Sequence, residues 1–313
     1  MNVISKAESD AISFVRVCAM ISIVSCHLLQ AYSNHWAWVL NVGVQVFLVL
    51  SGYLYGHKCI TQWKEWFWSR IKKLYVPFLL FSLTVLMLLD FFTDEYISLK
   101  NYFAYIVDIQ GVCGGVKGLS HLWFMTAIAC CYVTTPVLQK FKRFAPVLLL
   151  ILLVVGGFEY LYIKRWVFHF SWFWLYAVGY YYACLNRKWH RNLFLALLTI
   201  VFLILSCKID KNTVMSFHNL INRAWHDFLG LILCFYGISL LSHFNLTCLR
   251  LLVRPIDKYS YYVYITHHVF ILGSFSMIPI VYNVFMNVFV ILVLTVSSAL
   301  LLNRLSLQVN SLI

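Results

Sequence analysis

Arg16 and His27 are the pair in this chain whose types and spacing point most directly to chemistry. They stand eleven residues apart within one apolar stretch. At about 100° per residue, eleven steps bring a helix back to within roughly 20° of its starting direction. Both side chains therefore share one face, about 16 Å apart along the axis. An arginine and a histidine in a bilayer are costly unless they face protein or a wet cavity, so such residues mark functional sites. Snorkelling to the surface accounts for an arginine about a turn from the interface, but not for a histidine three turns further in. Near neutral pH an imidazole can take a proton from a hydroxyl and later return it. The spacing predicts a polar path entering from one membrane face, with a titratable group deep inside it.

Other residues could complete such a site. In the run from Gly43 to Tyr53, Ser51 and Gly52 form a small pair late in an apolar span, which permits close helix contact. No base adjoins Ser51, so it reads as a packing or substrate-lining residue rather than a nucleophile. The segment Lys64 to Pro77 is an interfacial stretch with aromatic anchors and positive charge. Within it Arg70 and Lys73, three apart on one helical face, could hold a phosphorylated cosubstrate. His121 and Trp123 open a span on the expected outer side, where tryptophan anchors the interface and histidine could line an entrance. His267 and His268 are adjacent, about 100° apart on a helix, so at most one is expected to point into a shared cavity. Glu159 could orient a histidine or stand as an ordinary interfacial carboxylate.

The elements that must position these groups are membrane helices. Of 313 residues 62% are hydrophobic and only 11% charged, with a mean hydropathy of +0.82; soluble domains carry about 25% charged residues. The expected fold is all-α and polytopic, one domain over residues 1–313. Ten spans fall at about 12–31, 39–57, 74–92, 119–138, 144–163, 167–186, 191–207, 226–244, 259–280 and 283–303. With the N-terminus inside, sixteen Lys and Arg (Arg187 among them) fall on inner segments. Seven, including Lys164, Arg165 and Lys211, fall on outer ones. That bias predicts an N-in, C-in topology. The net charge of +13 sits in short loops facing an anionic leaflet, so nucleic acid is not an expected partner. The ten cysteines lie mostly in apolar spans without Cys-x-x-Cys or Cys/His ligand spacing, so no metal site is expected. The first span has no cleavage-site pattern and is expected to remain as a helix. Residues 93–118, with Gly111, Gly114, Gly115 and Gly118, read as a mobile outer loop, and a second outer stretch, 208–225, carries His218 and Arg223.

Taken together these residues resemble the bacterial membrane-bound acyltransferase 3 family of surface-glycan O-acyltransferases. Arg16 and His27 match its arginine, ten residues, histidine pattern. Gly43 to Tyr53 resembles its Gly-Val-x-x-Phe-Phe-x-x-Ser-Gly-Tyr segment, with Leu48 for the second phenylalanine. Arg70 to Pro77 is similar to its Arg-x-x-Arg segment before a proline, with Lys73 as the second basic residue; charge is kept and the bidentate fork lost. His121 to Phe124 and Tyr264 to His267 resemble later landmarks, in the family's order. The resemblance implies a cytoplasmic acyl-CoA donor, usually acetyl-CoA, with no permanently bound cofactor. It also implies a glycan or sugar hydroxyl as acceptor and a multi-pass place in the inner, cytoplasmic membrane among its lipids. His27 would then act as base or transient acyl carrier, and Arg16 would orient the donor or His27. Arg70 and Lys73 would attract CoA phosphates, and Ser51, His121, Trp123 and His267 would line the substrate path. A transporter or flippase is the alternative, since buried Arg and His also suit an anion or proton path. Against it, no half-length repeat or paired broken helices are present.

Overall fold

A computed structural model of the chain describes residues 4–162, 169, 171–185, 188–209, 220–244, 247–281 and 283–312. Lys164, Arg165, Arg187, Lys211 and His218 lie outside the described residues. Among those described, all regular structure is helical and no strand occurs. The chain begins with α1 (Lys6–Ala31), the short α2 (Ala37–Leu40) and α3 (Gly43–Gly56). After α4 (Trp63–Arg70) a π-helical turn, Ile71–Tyr75, leads into α5 (Val76–Phe92). Two short helices, α6 (Leu99–Ile106) and α7 (Gln110–Cys113), and a 3₁₀ turn, Ser120–Leu122, precede α8 (Trp123–Lys140). The rest comprises α9 (Ala145–Tyr162), α10 (Ser171–Cys184), α11 (Lys188–Lys208), α12 (Leu220–Leu241), α13 (Thr247–Ile271) and α14 (Val284–Leu312).

Among the described residues seven stretches are long and apolar enough to cross a membrane: Lys6–Ala31, Ala37–Gly56, Trp63–Phe92, Ser120–Lys140, Trp189–Lys208, Leu220–Leu241 and Val284–Leu312. The other three of the ten expected spans fall on α9, α10 and α13. At 14 residues α10 reaches about 21 Å, short of a ~30 Å hydrocarbon core, and α9, at 18, sits near the lower limit. The first half of α13 carries Arg250, Arg254, Asp257 and Lys258.

The chain divides into two compact units. The first takes residues 1–26, 34–59 and 131–258; the second takes 27–33, 60–130 and 259–313. In the first unit α3 packs backbone to backbone on α10. A Cβ on Gly52 or Gly56 would strike the Tyr176 or Tyr180 carbonyl, and one on Gly179 would strike that of Val49. Lipid offers no hydrophobic drive between helices, so close approach over small residues is what holds such a pair. The Ser51–Gly52 reading therefore describes the helix contact correctly. A Thr135–Tyr176 hydroxyl bond at 2.8 Å links α8 to α10, and Ser22 Oγ donates to the Leu40 carbonyl at 2.6 Å.

In the second unit Asn310 Nδ2 donates to the Lys72 carbonyl at 3.0 Å, and the Tyr261 hydroxyl to that of Leu74 at 2.5 Å. Both carbonyls lie in or beside the π-helical turn, where the regular ladder is interrupted. The stretch 93–118, expected as a mobile loop, is built into this unit instead. The Val116 amide donates to the Tyr105 hydroxyl at 3.1 Å, Gln110 Nε2 to the Leu122 carbonyl at 2.9 Å, and the Gly111 amide to Thr126 Oγ1 at 3.1 Å.

Candidate active site

Three of the expected site residues, His27, His121 and His267, meet in the second unit, and His268 joins them. The ring centre of His27 lies 5.3 Å from that of His267, 4.6 Å from His268 and 6.4 Å from His121. His121 stands 5.0 Å from His267 and stacks on His268 at 4.5 Å, 17° from parallel. Three elements supply these four rings: the end of α1, the 3₁₀ turn before α8, and successive positions on α13. All but the half-buried His27 are buried. At most one of the adjacent histidines was expected to face a shared site; instead both rings contact His27 and His121. The two ring planes lie 88° apart, so each meets the same pair of partner rings from its own side.

Each ring is held by an oxygen that can only accept, so the partnered nitrogen carries the proton. His27 Nδ1 donates to Gln30 Oε1 at 2.8 Å, one helical turn away. His121 Nε2 donates to the Ile265 carbonyl at 3.1 Å and His267 Nδ1 to that of Tyr264 at 2.7 Å. His268 Nδ1 donates to the Gly118 carbonyl at 2.9 Å. In the neutral ring the second nitrogen is then a basic lone pair. Two of these, His121 Nδ1 and His267 Nε2, are buried with no hydrogen-bond partner among the described residues. The arrangement is a concentrated set of proton acceptors in a buried setting. Among the described residues no group of His, Cys, Asp and Glu is placed to hold a metal ion.

The sequence folds locally to present these rings. Gly118 adopts φ +83°, a left-handed turn open to glycine, and aims its carbonyl at His268. The Tyr264 hydroxyl donates to the His121 carbonyl at 2.6 Å, tying the 3₁₀ turn to α13. Asp108, also left-handed at φ +58°, accepts from Gln110 Nε2 at 2.9 Å and Thr126 Oγ1 at 3.1 Å. Burial pushes its carboxyl up to about 6, against the pull of those two bonds. It braces the entry to the turn that carries His121.

The remaining expected residues are placed as follows. Trp123, the first residue of α8, is half-buried and its ring lies 6.1 Å from that of Phe124, which packs on Tyr264. Arg70 closes α4 half-buried, its Nη2 donating to Ser69 Oγ at 3.0 Å, and Lys73 is exposed in the π-helical turn. A π turn holds more residues than an α turn, so three steps turn the chain through a smaller angle. The single shared face expected for Arg70 and Lys73 is therefore opened. Arg16 and Ser51 belong to the first unit. Arg16 Nη1 reaches both oxygens of Asp257, at 3.0 and 3.1 Å, beside a cavity of about 360 Å³ lined also by Ser9, Ser13, Arg254 and Lys258. Ser51 is half-buried on α3. Glu159 does orient a histidine: its Oε1 lies 2.9 Å from His169 Nδ1.

Sequence reasoning missed Asp257 and His268. Asp257 is an acid at the inner edge of an expected span, which is where a partner for a membrane arginine belongs. His268 was visible in the doublet and set aside by the 100° argument.

A family model described as an acyltransferase domain matches residues 9–304, from the first turn of α1 into the last turns of α14. Comparison with curated proteins and with solved structures gives no match.

Proposed function

Since the chain belongs to this acyltransferase family, a membrane acyltransferase rather than a transporter, we propose that it moves a small acyl group, acetyl by preference, from cytoplasmic acyl-CoA to a hydroxyl of a surface glycan or its lipid-linked precursor. The observation that carries the mechanism is the 2.8 Å contact of His27 Nδ1 with Gln30 Oε1, which assigns the ring proton to Nδ1. With Nδ1–H spent on Gln30, Nε2 is the free base, among three further imidazoles. The acceptor oxygen attacks the thioester carbon while Nε2 takes its proton. The C–S bond then breaks and the proton passes to sulfur, releasing CoA as the thiol. A transient acyl group on Nε2 would use the same atom. The rings of His121, His267 and His268 surround the place where charge forms on His27. Arg70 and Lys73 attract the donor's phosphates, and Arg16, held by Asp257, borders a polar cavity of its own unit.

This reading places the protein in the cytoplasmic membrane, N-in and C-in, with ten spans. Purified protein should release CoA thiol from acetyl-CoA in a manner that depends on a glycan acceptor. A folded protein that consumes no acyl-CoA with any hydroxyl acceptor refutes it. Mass spectrometry of surface glycans with and without the gene identifies the acceptor. A cysteine placed at Gly115 should react with an impermeant reagent only from outside; labelling from the cytoplasm inverts the topology.

A further inference from the structure

A second polar cavity, of about 430 Å³, lies wholly within the first unit and takes no part in the chemistry above. It gathers Glu8 near the start of α1, Tyr53 near the end of α3, Tyr182 near the end of α10, Arg191 near the start of α11, and Ser239 and Ser242 at the end of α12. In an N-in chain these are all inner ends. A size of 300–1,000 Å³ is that of a small-ligand site.

Arg191 is the unusual wall. Its Nε donates to the Leu185 carbonyl at 2.9 Å, and its guanidinium carbon lies 5.5 Å from the centre of the Tyr182 ring. Tyr182 in turn stacks on Phe235 at 4.0 Å. The plane of the guanidinium is thus held from two sides, while Nη2 is buried with no hydrogen-bond partner among the described residues. A buried cationic donor left unpaired is costly, and it calls for an acceptor. Glu8 does not supply one. Its Oε1 accepts from the Tyr53 hydroxyl and lies 3.8 Å from His57 Nε2.

We propose that this cavity binds a phosphate-ester linkage approaching from the inner side, with the positive charge of the Arg191 guanidinium in its wall as the anchor and Ser239 and Ser242 lining it beside that charge. Glu8 in the same wall disfavours a dianion. The ligand therefore carries one charge per phosphorus, as in a phospholipid headgroup or the pyrophosphate of a nucleotide. The apolar flank of Tyr182 and Phe235 takes the uncharged part. The site does not depend on the acyl-transfer reading.

The test titrates the purified full chain, in phosphate-free maltoside micelles, with phosphatidylglycerol, coenzyme A and a phosphate-free diacyl glycolipid. It is run in an Arg70→Gln/Lys73→Gln background, so that the donor contact proposed above does not contribute. At least one of the two phosphate esters should bind and the glycolipid should not. Arg191→Gln should weaken that binding roughly tenfold to a hundredfold, and Arg191→Lys should recover part of it. Binding of the lipid alone assigns a headgroup site, and binding of coenzyme A alone assigns a second donor contact. Equal retention of the glycolipid, no binding of either ester, or undiminished binding by Arg191→Gln overturns the proposal. Should that variant fail to fold, Ser239→Leu fills the cavity from α12, and unchanged binding there overturns it equally.

Discussion

His27→Ala removes the one imidazole of the cluster that is only half-buried, and so the one a substrate can reach. A positioned general base is worth about 10²–10⁴ in rate. Here the loss should fall in the lower half of that range, because the ring centres of His268 and His267 stand 4.6 and 5.3 Å from that of His27. Removing the His27 side chain opens the way to both, and each then offers a basic nitrogen that a displaced hydroxyl, or one intervening water, could use. We expect a drop of about 10²–10³, or roughly 3–4 kcal/mol of barrier. The triple variant His27→Ala/His267→Ala/His268→Ala should fall toward the full 10⁴, with less than additive losses, since the rings act as a unit. The assay is the initial rate of CoA thiol release at saturating acceptor, using protein that elutes as the wild type does. A folded His27→Ala protein within about threefold of wild type refutes the assignment.

Three further outcomes follow from the packing. Asp257→Asn leaves the Arg16 guanidinium, 29% exposed, without its counter-charge; a double-mutant cycle with Arg16→Gln should give a coupling of about 1 kcal/mol in thermal stability, and zero coupling dissolves the pair. Asp108 is the reverse of a stabilising carboxylate. With its folded-state value raised to about 6, its contribution is most favourable below the ordinary carboxylate range, declines as pH rises toward 6 and is flat above. Asp108→Asn should therefore be more stable than wild type at pH 7, by up to roughly 3 kcal/mol, and lack that slope in a melting series; an unchanged slope counts against the reasoning. Gly52→Leu should abolish folding by wedging α3 from α10. Gly157→Ala on α9, where a Cβ meets nothing within 4 Å, should be neutral or slightly stabilising, and equal tolerance of both in size-exclusion profiles contradicts the helix contact.

Much of the fold was legible because hydropathy and length are local. The spans over α1, α3, α5, α8, α11, α12 and α14 follow from runs of apolar residues that any helix of that length must bury or give to lipid. What hydropathy does not record is pairing. Gly52, Gly56 and Gly179 announce a close contact without naming its partner, and nothing in the run Ile71–Tyr75 forecasts a π turn. That turn depends on acceptor carbonyls at Lys72 and Leu74 being met by Asn310 and Tyr261, which lie far along the chain.

The site shows the same division more sharply. The eleven-residue spacing of Arg16 and His27 treats one helix as the whole environment, and α1 is indeed continuous through both residues. Yet each takes its ionic or ring partners from α13, Asp257 for Arg16 and the His267–His268 doublet for His27. On α13 Asp257 precedes His267 and His268 by ten and eleven residues, an interval like that between Arg16 and His27 on α1. A rule that counts directions on a single helix must discard one member of a doublet. A second helix with a comparable interval removes that need, because partner rings can fill the angle between two diverging side chains. In a membrane protein the informative pattern is therefore a polar interval that recurs on another span. Here that comparison would have singled out Asp257 as the partner of Arg16 and His268 as a partner of His27.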